Sequence, residues 1–364
     1  MKRKYGLSGR GSRFLVGVMF LILFASSTLF SQSFDFPSKK WGISFGNSKE
    51  FTGLRLNFRD SQVRRITGVN ITLWTPKKDN EEAQVRGLSL GVIPGGGYLQ
   101  GIQVGVLGVA AEKNLVGLSV GLLGVGSGEN VVGVNIGGLG AGAGESLTGI
   151  NIGGLGVGAG ENLTGINIGG LGVGAGENLT GINIGGFGVG AGEDMKGLNI
   201  GLLGAGAGRD AAWINLGGFG VGAGRDMTGL NIGLLGVGAG RRLVGINIGG
   251  IGVGAGEKMI GLTIGGIGAG SAEVQGILVG GLGVGGEVLK GVQLALGTVI
   301  VPKGGRMIGF AASAVNYIRG TQTGLSIGIV NYCWRLKGVQ IGLVNIVRDN
   351  PKYSRVLPLI NVNF

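Results

Sequence analysis

The sequence predicts an all-β protein, a parallel β-solenoid of about 18 short coils, and three observations carry that prediction. First, Gly101, Gly117, Gly133, Gly149, Gly165, Gly181, Gly197, Trp213, Gly229, Gly245 and Gly261 recur every 16 residues, and a fixed period of this kind marks a repeat architecture. Second, within each unit apolar residues alternate with glycine or polar ones, the period-two signature of a strand with one buried face. Third, 87 of the 364 residues are glycine. There is no Gly-X-Y period, so collagen is excluded. A helix is excluded as well, because glycine at alternate positions would cost it about 1 kcal/mol each against alanine.

The elements follow in chain order. Residues 1–33 read as a secretory signal peptide: Lys2, Arg3, Lys4, Arg10 and Arg13 precede an uncharged run from Phe14 to Phe30, with small residues at Ser31 and Ser33. Residues 34–100 hold an N-terminal cap rich in aromatics (Trp41, Phe45, Phe51, Phe58, Trp74) and irregular repeats starting at Gly53, Gly68 and Gly87. Residues 101–275 are the regular repeats, and 276–364 are irregular C-terminal repeats with a terminal strand. Repeat arrays need atypical ends to cover their exposed last coils.

In the unit GINIGGLGVGAGENLT, which starts at Gly165, Ile166 and Ile168 alternate with Gly165, Asn167 and Gly169. The parity then flips, and Leu171, Val173 and Ala175 alternate with glycine. A flip in every unit requires a corner or tight turn near Gly169–Gly170, and Glu177–Asn178 supplies a polar turn. On this reading Ile166, Ile168, Leu171 and Val173 form a thin core. Asn135, Asn151, Asn167, Asn183, Asn199, Asn215, Asn231 and Asn247 then form a ladder on an outer face, as a stiffening amide stack or a flat recognition face. The second sheet shows only glycine outward, which suits self-association through close-packed glycine faces. The turns change from Glu129, Glu145, Glu161, Glu177 and Glu193 to Arg209, Arg225, Arg241 and Arg242, which suits either solvated turns or charge pairing between chains.

The alternative architecture is an outer-membrane antiparallel β-barrel with one unit per strand, acting as a pore or scaffold. Uniform turns and the lack of aromatic girdles weigh against it. The ending VLPLINVNF favours it: Val356, Ile360, Val362 and Phe364 alternate back from a terminal phenylalanine, as in an outer-membrane targeting end. Pro358 interrupts that pattern, and a strand that caps the last coil is the other reading.

The units GLSIGIVNY (324–332) and GVQIGLVNI (338–346), with the ending RVLPLINVNF, resemble a bacterial surface-repeat family known from spirochaetes and other Gram-negative lineages. Its members carry tandem units of the form G-[hydrophobic]-[Asn/Gln]-[hydrophobic]-G, and the resemblance covers roughly residues 53–364. It implies an exported protein of a Gram-negative outer membrane or cell surface. It transfers no catalytic residue, because the repeat is a packing pattern.

Composition argues against catalysis. The chain has no histidine, which removes the usual imidazole base and metal ligand, and one cysteine, Cys333, which forbids an internal disulfide or a cysteine metal cluster. GVGAG strings repeat in every unit and lack the strand–loop–helix context of a phosphate or dinucleotide loop. No enzyme, cofactor, metal or small-molecule substrate is expected. The net charge of +12 falls to +7 without the leader. No basic stripe interleaved with aromatics points to nucleic acid. A mild basic excess fits solubility or attraction to anionic lipid. The expected role is structural or adhesive, with an outer membrane or another envelope component as partner.

Overall fold

A computed structural model describes residues 33–364, so the predicted leader lies outside the described residues except for Ser33. The chain is an all-β parallel solenoid of about 18 coils. The described residues fall into two units, 33–138 and 139–364.

In the unit 139–364 each regular coil has a long strand and a short one. Leu163–Gly169 pairs in parallel with Leu147–Gly153 before it and Leu179–Gly185 after it, always 16 residues apart. Gly172–Ala175 pairs likewise with Gly156–Ala159 and Gly188–Ala191. Consecutive coils therefore run in one direction, whereas neighbouring strands of an antiparallel barrel must alternate, so the barrel is ruled out. The offset shortens to 15 at Lys258↔Glu273, where the irregular coils begin.

Glycine fixes the bend of the long strand. Gly165 has φ of +121°, and a Cβ there would lie 2.0 Å from the carbonyl oxygen of Gly149 in the preceding coil. An L side chain is unfavourable on both counts. The corner that follows, at Gly170–Leu171, reverses the alternation where the sequence places the flip.

The phase of the long strand is opposite to the expectation. Leu163, Asn167, Val173 and Ala175 face inward and are buried, whereas Ile166 and Ile168 are 38% and 37% exposed and Leu171 is exposed with them. Asn135, Asn151, Asn167, Asn183, Asn199, Asn215, Asn231 and Asn247 are each 0% exposed, so the asparagine ladder lies in the interior and not on an outer face. The inward column of Leu147, Leu163 and Leu179 shares its parity with the asparagines and carries them inside with it. The corner that follows is tight: a Cβ on inward Gly169 would stand 2.0 Å from the carbonyl oxygen of Gly172, three residues on in the same coil.

The unit ends on Val356–Asn363, which pairs antiparallel with Val330–Val347. Val356, Ile360, Val362 and Phe364 lie on this strand or directly after it, all exposed. Its reversed direction stops the parallel stack, and Pro358 within it blunts the remaining edge.

The unit 33–138 begins with the matching device. Ser33–Pro37 pairs antiparallel with Trp41–Gly46, which then pairs in parallel with Glu50–Asn57. The inward polar slot persists in this unit as Arg55, Asn70, Ser89, Gln103 and Ser119, all buried. Buried Arg55 donates to Asp60, to Asn70 Oδ1 at 2.8 Å and to Asn47 Oδ1 at 3.0 Å, which offsets the cost of burying its charge. An aromatic cluster (Phe34, Phe36, Trp41, Phe45) remains exposed on the first strands.

Candidate functional site: an inverted sheet face

The long strands build one surface of unusual polarity, described here for the unit 139–364. Register places Ile150, Ile166, Ile182, Leu198, Ile214, Leu230 and Ile246 in one outward column. Ile152, Ile168, Ile184, Ile200, Leu216, Ile232 and Ile248 form a second. The corner adds Leu155, Leu171, Phe187, Leu203, Phe219, Leu235 and Ile251, all exposed. Between the two outward columns, pointing inward, stand the asparagines. The strand is thus apolar toward the outside, where a solvated sheet would be polar, while its inward face sets an asparagine beside the buried leucine, methionine or alanine of each coil. Soluble proteins seldom expose contiguous apolar patches beyond a few hundred Å², and larger ones mark interaction sites.

The inward asparagines are satisfied by one another. Asn151 Nδ2 donates to Asn167 Oδ1 at 2.8 Å, and the same bond runs on through Asn183, Asn199, Asn215, Asn231 and Asn247 at 2.8–2.9 Å. In-register parallel pairing stacks identical amides, so each donates to the next coil and accepts from the last. Thr263 follows in the slot and is too short to continue the chain. A second ladder, Asn316 to Asn331 to Asn345 at 2.7 Å, stiffens the short-strand side of the last coils. Buried in this way, the amides offer nothing to a ligand, so the flat asparagine recognition face is not present.

The short-strand side carries outward glycine. Here the backbone does not demand it: a Cβ on Gly174 would meet its nearest atom, the carbonyl oxygen of Gly190, at 3.8 Å.

The polar turns form the third surface. Arg209 donates from Nε and Nη2 to the Asp194 carboxylate, both at 3.0 Å. Arg225 grips Asp210 in the same forked way, and Arg241 and Arg242 share Asp226. Arg209, Arg225 and Arg241 reach back 15 residues and Arg242 reaches back 16, each to the coil before it. The arginines of the turns are therefore paired inside the chain. The guanidiniums of Arg241 and then Arg242 hold the Asp226 carboxyl, 12% exposed, well below the ordinary carboxylate range. Lys290, with Gln275 beside it, lowers Glu273 to about 2.

A carboxylate with a depressed folded pKa contributes stability above its unfolded pKa, near 4, and that contribution disappears as pH falls through the folded value. The unfolding midpoint should therefore drop as pH falls from about 4 toward 2 and below. Asp226→Asn should flatten that dependence and cost about 1 kcal/mol at neutral pH. Thermal unfolding of both chains across this range checks it; equal slopes would refute it.

Burial pushes the thiol of Cys333 up to about 12, so it is inert as a nucleophile. Among the described residues no group of three Cys, Asp or Glu is placed to hold a metal ion. A groove in the unit 33–138 is lined by Lys40, Glu50, Arg64, Arg65 and Glu82, a mixture of both signs.

Of the two sets of residues singled out from the sequence, the structure brings the eight asparagines into interior slots and Val356, Ile360, Val362 and Phe364 onto the capping end. What the sequence reading missed is the outward aliphatic surface. Its signal was available: Leu163 shares the parity of Asn167, so an inward leucine carries the asparagine inward with it. Comparison with family models, curated proteins and solved structures finds no match.

Proposed function

We propose that this chain is a non-enzymatic structural and adhesive protein of a cell envelope, exported by the leader at 1–33, and that its working part is the outward aliphatic face of its long strands. The inverted polarity of that face is the observation that carries the reading. A chain that buries asparagine and exposes isoleucine over successive coils has paid for that surface in solubility. Such a surface is useful when something apolar covers it. The resemblance of residues 324–346 to a Gram-negative surface-repeat family supports an outer-membrane or cell-surface setting. Uniform coils suit a scaffold: each contacts its neighbours, and the same contact is offered again at every repeat.

The test is adsorption. The chain carrying Ile166→Thr, Ile168→Thr, Ile182→Thr and Ile184→Thr keeps β-branched side chains and so keeps its strands. Its retention on an alkyl-coated surface and on isolated envelope fragments should fall about tenfold or more, as losing several buried methyl groups predicts. Its circular dichroism should be unchanged. Unaltered retention in a folded variant would overturn the reading.

A further inference from the structure

The observations go one step past an apolar working face, and this step rests on that reading: we propose that the aliphatic face of the unit 139–364 seats on a lipid bilayer carrying acidic headgroups, with Trp213 and three lysines at its rim. Along one margin of the face runs a third outward column, two residues ahead of the first aliphatic one. Thr148, Thr164 and Thr180 begin it. Lys196, Lys290 and Lys337 are its charged members. Lys196 and Lys337 are exposed, Lys196 at 57% of its side chain, and Lys290 is half-buried. None of the three outward columns carries a carboxylate in this unit.

Charge decides between occupants. A second copy of the chain laid on this face would bring apolar columns and the same three lysines, with no carboxylate in those columns to meet them. Acidic headgroups beside acyl chains supply both complements at once: hydrocarbon for the isoleucines and anions for the lysines, whose stems reach along the apolar surface. Lys290 also pairs with Glu273 at 2.9 Å, and Lys196 stands 3.9 Å from Asp194, so their pull on a headgroup is partial.

Trp213 adds an independent sign. It occupies the column otherwise held by positive-φ glycines, at φ of 86°, and is 71% exposed. A bulky residue in the left-handed region is strained, and strain kept at a largely exposed side chain points to function. Its place is between the rim column and Ile214, the level at which tryptophan settles between headgroup and acyl chain. The arrangement is that of a protein lying in the interface plane, as interfacial amphipathic elements do.

Vesicle flotation with the full chain tests this. Phosphatidylcholine vesicles with phosphatidylglycerol should carry the protein about tenfold better than phosphatidylcholine alone, with the preference lost in high salt. Lys196→Gln, Lys290→Gln and Lys337→Gln together should abolish the preference. Binding should shift tryptophan emission to the blue, and Trp213→Gly, which restores the residue of its column, should remove most of the shift. Absence of flotation with either vesicle, together with concentration-dependent self-association that the isoleucine-to-threonine chain loses, would overturn the lipid proposal and leave the apolar face standing with a second copy on it. Flotation undiminished in the folded isoleucine-to-threonine chain would overturn both.

Discussion

Replacing Gly181 by alanine should destabilise the chain by about 2–4 kcal/mol, whereas Gly174→Ala should change its stability by less than about 1 kcal/mol, in the stabilising direction. Both glycines lie in the regular coils and both are surrounded by glycine-rich neighbours, so composition does not separate them. Geometry does. Gly181 has φ of +119°, and a Cβ would stand 2.0 Å from the carbonyl oxygen of Gly165, a backbone atom held by the parallel ladder. Gly174 has ordinary backbone and free space outside it. The chain supplies its own controls. Where the Gly174 column reaches the last coils it holds Ile300, Tyr317 and Tyr332. In the Gly181 column the exception is Trp213, which has a φ of 86° against the glycines' typical values near 120°. Denaturant unfolding followed by circular dichroism measures both variants, with the slope checked because repeat arrays can depart from two-state behaviour. Equal losses at the two positions would show that the positive-φ column does not set the bend of the coil.

This contrast shows where sequence reasoning succeeds and stops. The 16-residue period, the parity flip and the uniform turns were sufficient for a parallel solenoid, because identical units with identical turn lengths stack only if every coil runs the same way. The facing of the long strand was not evident from alternation in Gly165–Gly169, since alternation defines two faces and does not say which is inside. Isoleucine against asparagine suggested the usual answer. The outcome follows a leucine two residues ahead of the unit's first glycine: Leu163 is buried and carries Asn167, of the same parity, inward with it. The terminal alternation through Val356, Ile360 and Val362 was real, but its strand runs antiparallel to the last coil and caps it. The arginine turns were visible as a change of sign. Their partners, Asp194, Asp210 and Asp226, became legible once coils were stacked, because each pair joins adjacent coils.

The interior ladder gives the other large expected effect. Asn183→Leu should cost about 3–5 kcal/mol, although leucine fits the slot, as buried Leu278 shows in the same column. The cost is polar. Asn167 Nδ2 now donates to Asn183 Oδ1, and Asn183 Nδ2 donates to Asn199 Oδ1, each at 2.8 Å. Removing the middle amide leaves a buried donor on Asn167 and a buried acceptor on Asn199, each worth about 1–3 kcal/mol when unpaired. The double variant Asn167→Leu, Asn183→Leu separates this from loss of packing. It also leaves two orphans, the donor of Asn151 and the acceptor of Asn199, so it should cost little more than the single change. Residues in contact that share one network are expected to be non-additive in this way. Ile182→Thr, one residue away and pointing outward, should cost less than about 1.5 kcal/mol and serves as the surface control. Unfolding midpoints of the three variants measured together decide the matter. A double variant costing the sum of two singles would mean that each asparagine acts through its own local packing and that the ladder is not a cooperative unit. A double variant close to the single would identify the buried amide stack as a cooperative unit, whose polar cost arises where the run is broken and not at each asparagine separately.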